Sequence, residues 1–289
     1  MELRQIHYFL VLAKELHFSE AAVKLGISQP SLSQQIKVLE SEIGMPLFDR
    51  IGKKNSLTEA GRLLYRYAVE MEHVLDNFEG ELADLREENR GEIRVAMLPS
   101  DLDYRMGDLL SEFYQDYPEI KIKVIASIEI EKLLLQNDVD FGLGIKQQVN
   151  NQLIQKSVFT ETYDLYISKK LEKTFQEPVL AIDIEELPLI MFPSGFYGRE
   201  LLDKWAKSQK ITLNPIMEIS SAMSQFQLAE KGIGMTIQPQ QLKNEIIHQN
   251  IVALEIEQPP TREVVITYMK NKYLTKAMAD FMERLSFLF

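Results

Sequence analysis

The sequence predicts an α/β protein in three parts. A small, mainly helical N-terminal unit comes first, then one long helix, then a larger C-terminal region in which strands and helices alternate. Three observations carry this prediction. Apolar residues recur at helical spacing as far as Ile43. An apolar seam then runs unbroken from Leu64 to Leu85. Beyond Gly91, short β-prone runs alternate with helical ones, as expected of an α/β architecture with mainly parallel strands. With 289 residues, 45% apolar and 26% charged, the chain is of ordinary globular composition and long enough for more than one core.

The absence of Cys excludes disulfides, thiolate metal sites and cysteine nucleophiles together. The histidines, His7, His17, His73 and His248, are scattered without ligand spacing. No run approaches the roughly 18 apolar residues of a membrane span. Lys14 and Glu15 end the N-terminal apolar stretch before it reads as a signal peptide. A cytoplasmic protein with no membrane partner is therefore expected. The net charge of −11 argues against nucleic acid until the chain is divided. Residues 1–66 hold nine Lys/Arg against seven Asp/Glu, residues 67–90 two against eight, and residues 91–289 hold 21 against 28. Phosphate binding follows local charge, so only the first 66 residues could meet DNA.

Leu3, Ile6, Leu10, Ala13 and Leu16 predict an amphipathic first helix. A short second helix, with Ser19 as N-cap, runs through Leu25 and ends at Gly26. Ser28 as N-cap with Pro30 in the first turn starts a third helix, which reaches about Ile43 with Gly44 as its C-cap. Leu32, Ile36, Leu39 and Ile43 share its inner face. Pro30, Gln34, Lys37 and Ser41 point the opposite way, flanked by Ser31, Ser33 and Val38. A short helix, a tight turn and a longer polar-faced helix form the helix-turn-helix pattern. Gln can bond adenine N6 and N7, and Lys can serve guanine or phosphate. A plain solvated helix has the same pattern, and spacing alone leaves both readings open.

Two short β-prone pieces, around Met45 to Arg50 and at Leu57, enclose the basic turn Gly52-Lys53-Lys54-Asn55 and read as a wing. Arg50, Lys53 and Lys54 place three cations within five residues. Taken alone they describe a solvated loop; beside a helix-turn-helix they read as phosphate contacts.

At this point the residues carry a resemblance. Leu3-x-x-x-x-x-Phe9, Phe18-Ser19-x-Ala21-Ala22, Ser28-Gln29-Pro30-Ser31-Leu32-Ser33, Ile36-x-x-Leu39-Glu40, Leu47-Phe48-x-Arg50 and Leu57-Thr58-x-Ala60-Gly61 resemble the LysR-type transcriptional regulators. The match covers about the first 65 residues almost without gaps. It implies a winged helix-turn-helix at residues 1–58, a dimerising linker helix at 59–90 and an effector-binding domain at 91–289. It also implies Gln29, Ser31, Ser33, Gln34 and Lys37 as the DNA-facing set, with Arg50 and Lys53 from the wing. Ser28, Pro30 and Lys54 complete the expected site, while Gln29 and Ser33 enter mainly through the resemblance.

No Pro interrupts the chain from Glu59 to about Asn89. Leu64, Ala68, Met71, Leu75, Phe78, Leu82 and Leu85 step by 4, 3, 4, 3, 4, 3, which is a coiled-coil seam. A helix of roughly 30 residues extends about 45 Å. It could pack on its own domain, but so long a seam favours a partner helix, which the resemblance supplies as a second copy of the chain. The eight Asp/Glu between Glu70 and Glu88 should keep its exterior away from phosphate. A dimer, or a tetramer as in many relatives, would set paired recognition helices on a pseudo-palindromic site.

After Asn89-Arg90-Gly91, strands are expected at Glu92 to Leu98, Ile120 to Ile125, Phe141 to Ile145, Tyr163 to Ile167, Leu189 to Phe192 and Met235 to Ile237. Helices are expected at Glu129 to Gln136, Arg199 to Lys207 and Met223 to Glu230. The resemblance makes this region two subdomains in the style of periplasmic binding proteins, at about 91–161 with 266–289, and at 162–265. Its best local match is Gly232-Ile233-Gly234-Met235 before Pro239. Ligands in such folds bind beyond the C-terminal ends of strands, against helix N-termini. Ser100, Ser127, Ser194, Gly195, Tyr197 and Arg199 fall at such places, and hydroxyls, bare amides and one Arg suit a small carboxylate or other anion. Each Ser could equally be a simple helix cap. Where many relatives carry Glu-Gly, this chain has Ala126-Ser127.

Catalysis finds little support. Gly142-Leu143-Gly144 and Gly232-Ile233-Gly234 are fragments of a nucleotide fingerprint, and Asp101 with Asp103 is common turn chemistry. The sequence therefore predicts a ligand-responsive DNA-binding regulator with no cofactor. Its expected partners are double-stranded DNA, itself, a small-molecule effector and RNA polymerase. A ligand-independent or architectural DNA binder is the alternative, although a C-terminal module of roughly 200 residues exceeds what dimerisation requires.

Overall fold

In a computed structural model, residues 1–51, 54–242 and 250–287 are described, and the chain divides into two compact units, Met1–Leu85 and Arg86–Phe289. No helix among the described residues is long and apolar enough to cross a membrane.

In the first unit, α1 (Leu3–Glu15), α2 (Phe18–Lys24) and α3 (Gln29–Ile43) precede the antiparallel strands β1 (Phe48–Ile51) and β2 (Lys54–Leu57), and α4 (Glu59–Leu85) follows. Helix α1 buries Ile6, Phe9, Leu10, Leu12 and Ala13 in a core with Ala21, Ala22, Leu32, Ile36 and Leu39. The ends of its expected stripe lie outside that core: Leu3 is exposed, and Leu16 is a left-handed C-cap at φ 55°. Helix α2 begins one residue before Ser19, with His17 at the N-cap position. Helix α3 starts as its sequence predicts. The Ser28 hydroxyl accepts the Ser31 N–H at 3.3 Å, and Gly44 closes the helix at φ 78°, a conformation glycine adopts without penalty. Ile43, expected on the inner face, is exposed, one turn beyond buried Leu39.

The wing is tied to the helices by side chains. Glu40 of α3 accepts the N–H groups of Leu47 (2.8 Å) and Phe48 (3.3 Å), and Asn55 donates to the Leu16 carbonyl at 3.0 Å. At the start of α4, Thr58 donates to the Pro46 carbonyl at 2.7 Å and accepts the Gly61 N–H at 2.9 Å. A Cβ on Gly61 would lie 2.1 Å from the Leu47 carbonyl oxygen, so only glycine permits this approach.

The second unit has two lobes. β3 (Gly91–Met97), α5 (Pro99–Asp116), β4 (Ile120–Ala126), α6 (Ile130–Leu135) and β5 (Phe141–Ile145) begin the first lobe. β6 (Leu153–Ser168) leaves it for the second lobe. That lobe holds α7 (Ala181–Glu185), β7 (Leu189–Met191), α8 (Tyr197–Gln209), β8 (Pro215–Glu218), α9 (Ala222–Glu230), β9 (Thr236–Pro239) and β10 (Ile251–Leu254). β11 (Thr261–Met269) returns to the first lobe, and α10 (Lys276–Phe287) covers it. The strand order is β10-β6-β11-β5-β3-β4, with β9 also on β6.

β3 is parallel to β4 and β5, and β7 to β8. β11 is antiparallel to β5 and β6, and β6 to β9 and β10. The sheet is thus mixed rather than mainly parallel, because the two strands that carry the chain between lobes run against their neighbours. The return crossing also precedes its expected place. β11 pairs with β6 from Thr261 and with first-lobe β5 from Val264, two residues before the expected return at 266. Buried on both faces, β3 packs Ile93, Val95 and Met97 with Met106 and Phe113 of α5 and Phe281 of α10, and Ala96 with Leu134 of α6. The second lobe has its own core of Leu165, Ile167, Leu189, Met191, Trp205 and Ile237.

Candidate functional site

On α3, Ser28, Gln29, Pro30, Ser31, Gln34 and Lys37 are exposed and Ser33 is half-buried, above Leu32, Ile36 and Leu39 in the core. The outer face therefore offers amides, hydroxyls and one ammonium, with no carboxylate before Glu40. The Ser28 hydroxyl is already used as the helix cap. In the backbone register of the hairpin, Arg50 pairs with Asn55 and Ile51 with Lys54. Lys53 lies outside the described residues.

Helix α4 presents two apolar stripes. Ala68 is fully buried in its own unit's core and Leu64 packs against that core, so these two positions of the expected seam are already covered. A second stripe of Leu63, Tyr67, Met71, Val74, Phe78 and Leu85 is exposed. At about 100° per residue these six lie within about 80° of one another. Leu75 is 38% exposed on the stripe's flank, beside half-buried Leu82. The exposed stripe therefore begins at Leu63, whereas Leu64 of the expected seam lies against the core.

Between the lobes of the second unit lies a cavity of about 140 Å³. Three helix starts line it: Leu98 to Ser100 at α5, Phe196 to Gly198 at α8, and Ser221 with Ala222 at α9. The first N–H groups of a helix have no intrahelical acceptor, and each helix start carries about half a positive charge. Phe192, Phe196, Ile128 and Tyr163 supply apolar wall.

Of the six residues expected here, Ser100 and Tyr197 line the cavity and four do not. The Ser127 hydroxyl accepts the Glu129 N–H at 3.0 Å, a local turn bond. Ser194 and Gly195 form the turn before α8, leaving Phe196 to face the cavity. Arg199 is the main correction. Its guanidinium donates to Asp203 (3.0 Å), Glu218 (2.6 Å) and the Phe192 carbonyl (3.2 Å), so two carboxylates already neutralise it. Burial alone would lower its pKa, but Glu218 and Asp203 outweigh that and raise it.

The arginine that does line the cavity is Arg262, at the start of β11. It is buried and bonds Glu161 of β6 and, at 3.2 Å, Asp101 of α5, with the Tyr163 ring 5.8 Å away. Burial works against its charge, but Tyr163, Asp101 and Glu161 together hold its pKa well above the usual arginine value. This cluster joins both crossing strands at the lobe boundary. Arg262 lies between Thr261 and Glu263, after Pro259-Pro260 and before the apolar run from Val264, which gives no local sign of a site. A larger groove of about 840 Å³ along α8 and Pro259 to Glu263 is open and lined by solvated charges such as Lys146, Glu200 and Lys204. No acidic or histidine group among the described residues could hold a metal ion.

Two family descriptions cover these units: "Bacterial regulatory helix-turn-helix protein, lysR family" matches residues 3–62, and "LysR substrate binding domain" matches residues 86–287. The chain belongs to the LysR family. LysR-family proteins are DNA-binding transcriptional regulators with an effector-binding domain, and they are not enzymes. The transcriptional activator CmpR of Synechocystis is 30% identical, over 98% of this chain and 94% of its own. The RuBisCO operon transcriptional regulator of Allochromatium vinosum is 26% identical, over 98% and 95%. Among solved LysR-family structures, a full-length OxyR variant from Pseudomonas aeruginosa superposes with a TM-score of 0.77 at 19% identity, covering 100% of this chain and 94% of that one. Full-length CbnR with its target DNA superposes at 0.67 and 21% identity, over 99% and 100%. At these identities the two structures establish the fold.

Proposed function

We propose that this LysR-family chain binds operator DNA as a dimer or tetramer and responds to a small anionic effector held between the lobes of its second unit. The effector reading rests on one observation, the convergence of three helix starts on a single cavity. Oriented N–H groups and helix dipoles attract an anion without needing a free cation, which matters because Arg199 and Arg262 are both already paired. For DNA, the reading assigns base contacts to Gln29, Ser31, Ser33, Gln34 and Lys37, and phosphate contacts to Arg50, Lys53 and Lys54. For assembly it assigns the exposed stripe of α4 to the same stripe on a second copy. The effector would act by preferring one arrangement of the lobes, and RNA polymerase recruitment would follow from the altered DNA complex.

Thermal unfolding of the full chain with small carboxylates, sulfate and phosphate tests the effector half. A ligand at 100 times its Kd should stabilise the second unit by about 2.7 kcal/mol. Ser100→Trp, which fills the cavity, should abolish the shift. Stabilisation by cations or neutral sugars, and not by any anion, would overturn the reading.

A further inference from the structure

The lining of the cavity includes a buried group that a bare anion does not satisfy. Gln238 of β9 lines it and is only 2% exposed. Its side chain ends a relay of buried hydrogen bonds. The Ile219 carbonyl accepts the Gln225 Nε2 at 2.7 Å, and a carbonyl can only accept, so this bond fixes which way round the Gln225 amide lies. The Gln225 Oε1 therefore faces the other way and accepts from Thr236 Oγ1 (2.7 Å) and from Gln238 Nε2 (2.7 Å). Gln238 Nε2 also approaches Thr236 Oγ1 at 3.3 Å. With its NH2 held by this network, Gln238 cannot flip. Its carbonyl oxygen is left as the remaining polar group, with no hydrogen-bond partner among the described residues.

We infer that Gln238 is a specificity-determining residue that selects effectors carrying an N–H or O–H donor beside the anionic group, as in amino acids and hydroxy acids. The inference rests on the anionic-effector reading above and narrows it. A buried acceptor left unpaired by a bound ligand loses its hydration without replacement, so a ligand lacking the donor is penalised. Asp103, an exposed side chain on the same lining, offers a second acceptor to such a donor. The formal charges also agree: Arg262 is matched by two carboxylates, so a ligand with a donor beside its carboxylate suits the cavity better than a polyanion. Gln225 does not line the cavity and acts as a positioning residue through Gln238.

The test compares matched acids on the full chain by calorimetry and thermal shift. The probes are propanoate with lactate and alanine, succinate with malate and aspartate, and glutarate with 2-hydroxyglutarate and glutamate. Within a set that binds, a donor-bearing member should bind at least about tenfold more tightly than the donor-free acid. Gln238→Met, of similar volume, should bring the members within about threefold of one another, and Gln225→Met should do the same without touching the cavity wall. Should either variant fail to fold, the wild-type comparison decides alone. A donor-free acid binding as tightly as its partners overturns the role of Gln238 while leaving the anion site standing. If no acid binds in any set while sulfate or phosphate does, this inference falls and the anion site stands; if no anion of any kind binds, both fall.

Discussion

Gly61 carries more of the first unit than its size suggests. It sits where α4 passes under the wing, against the Leu47 carbonyl, with its own N–H held by Thr58. Gly61→Ala must push strand or helix aside, and we expect a loss of about 1–3 kcal/mol, read as a lower unfolding temperature of this unit. In the second unit, Asp140 is buried, with Arg94 at 2.8 Å and Lys272 at 2.6 Å. Burial alone would raise its pKa, but Arg94 and Lys272 outweigh that and hold it below the usual carboxylate value of 3.8. A depressed folded pKa stabilises the fold above the unfolded value and loses that contribution as pH falls through the folded one. Thermal stability should therefore fall as pH drops from about 5 through the unfolded value towards the lowered folded one, and less steeply in Asp140→Asn. That variant should also be less stable at pH 7 by about 3 kcal/mol, because it leaves the buried Lys272 ammonium and the half-buried Arg94 without their counter-charge.

Among the elements, α3 was the most legible in sequence, because its cap, amphipathic face and closing glycine are all local. Its function can be tested locally too. Gln34→Ala should cost about 1–3 kcal/mol on duplexes selected by the wild-type protein and little on random ones, measured by fluorescence anisotropy. Equal losses on both would remove Gln34 as a base reader. Of helix α5 only the start near Ser100 is legible in sequence, and α10 is not legible at all. Helix α5 is interrupted in pattern by Asp101, Asp103, Gly107 and Asp108, and its buried Met106, Leu109 and Phe113 take their meaning from strands distant in sequence. The first part of β6 was missed because Lys156, Ser157, Thr160 and Glu161 give it a polar character. The cavity was legible only where a helix start betrayed it, at Ser100 and Tyr197. Arg199 looked available because sequence cannot show Glu218 within reach, and Gln238 gave no sign because its orientation is set by Ile219 through Gln225.

For the whole molecule, the exposed stripe on α4 has the next consequence. Phe78 is 61% exposed at its middle, and Phe78→Glu should yield monomers by sedimentation together with weaker binding to two-half-site duplexes. A dimer that persists would place the interface elsewhere. The insertion of β11 between β5 and β6 has a consequence of another kind. Gln155 and Thr267, bonded across that ladder, are 112 residues apart, and the whole second lobe is synthesised between them. During translation β5 and the first part of β6 must wait as open edges while the second lobe, which takes in β6 from Tyr163 on and has its separate core, can already condense. The later lobe in sequence is thus free to fold first, and the earlier one is completed only when its central strand emerges from the ribosome.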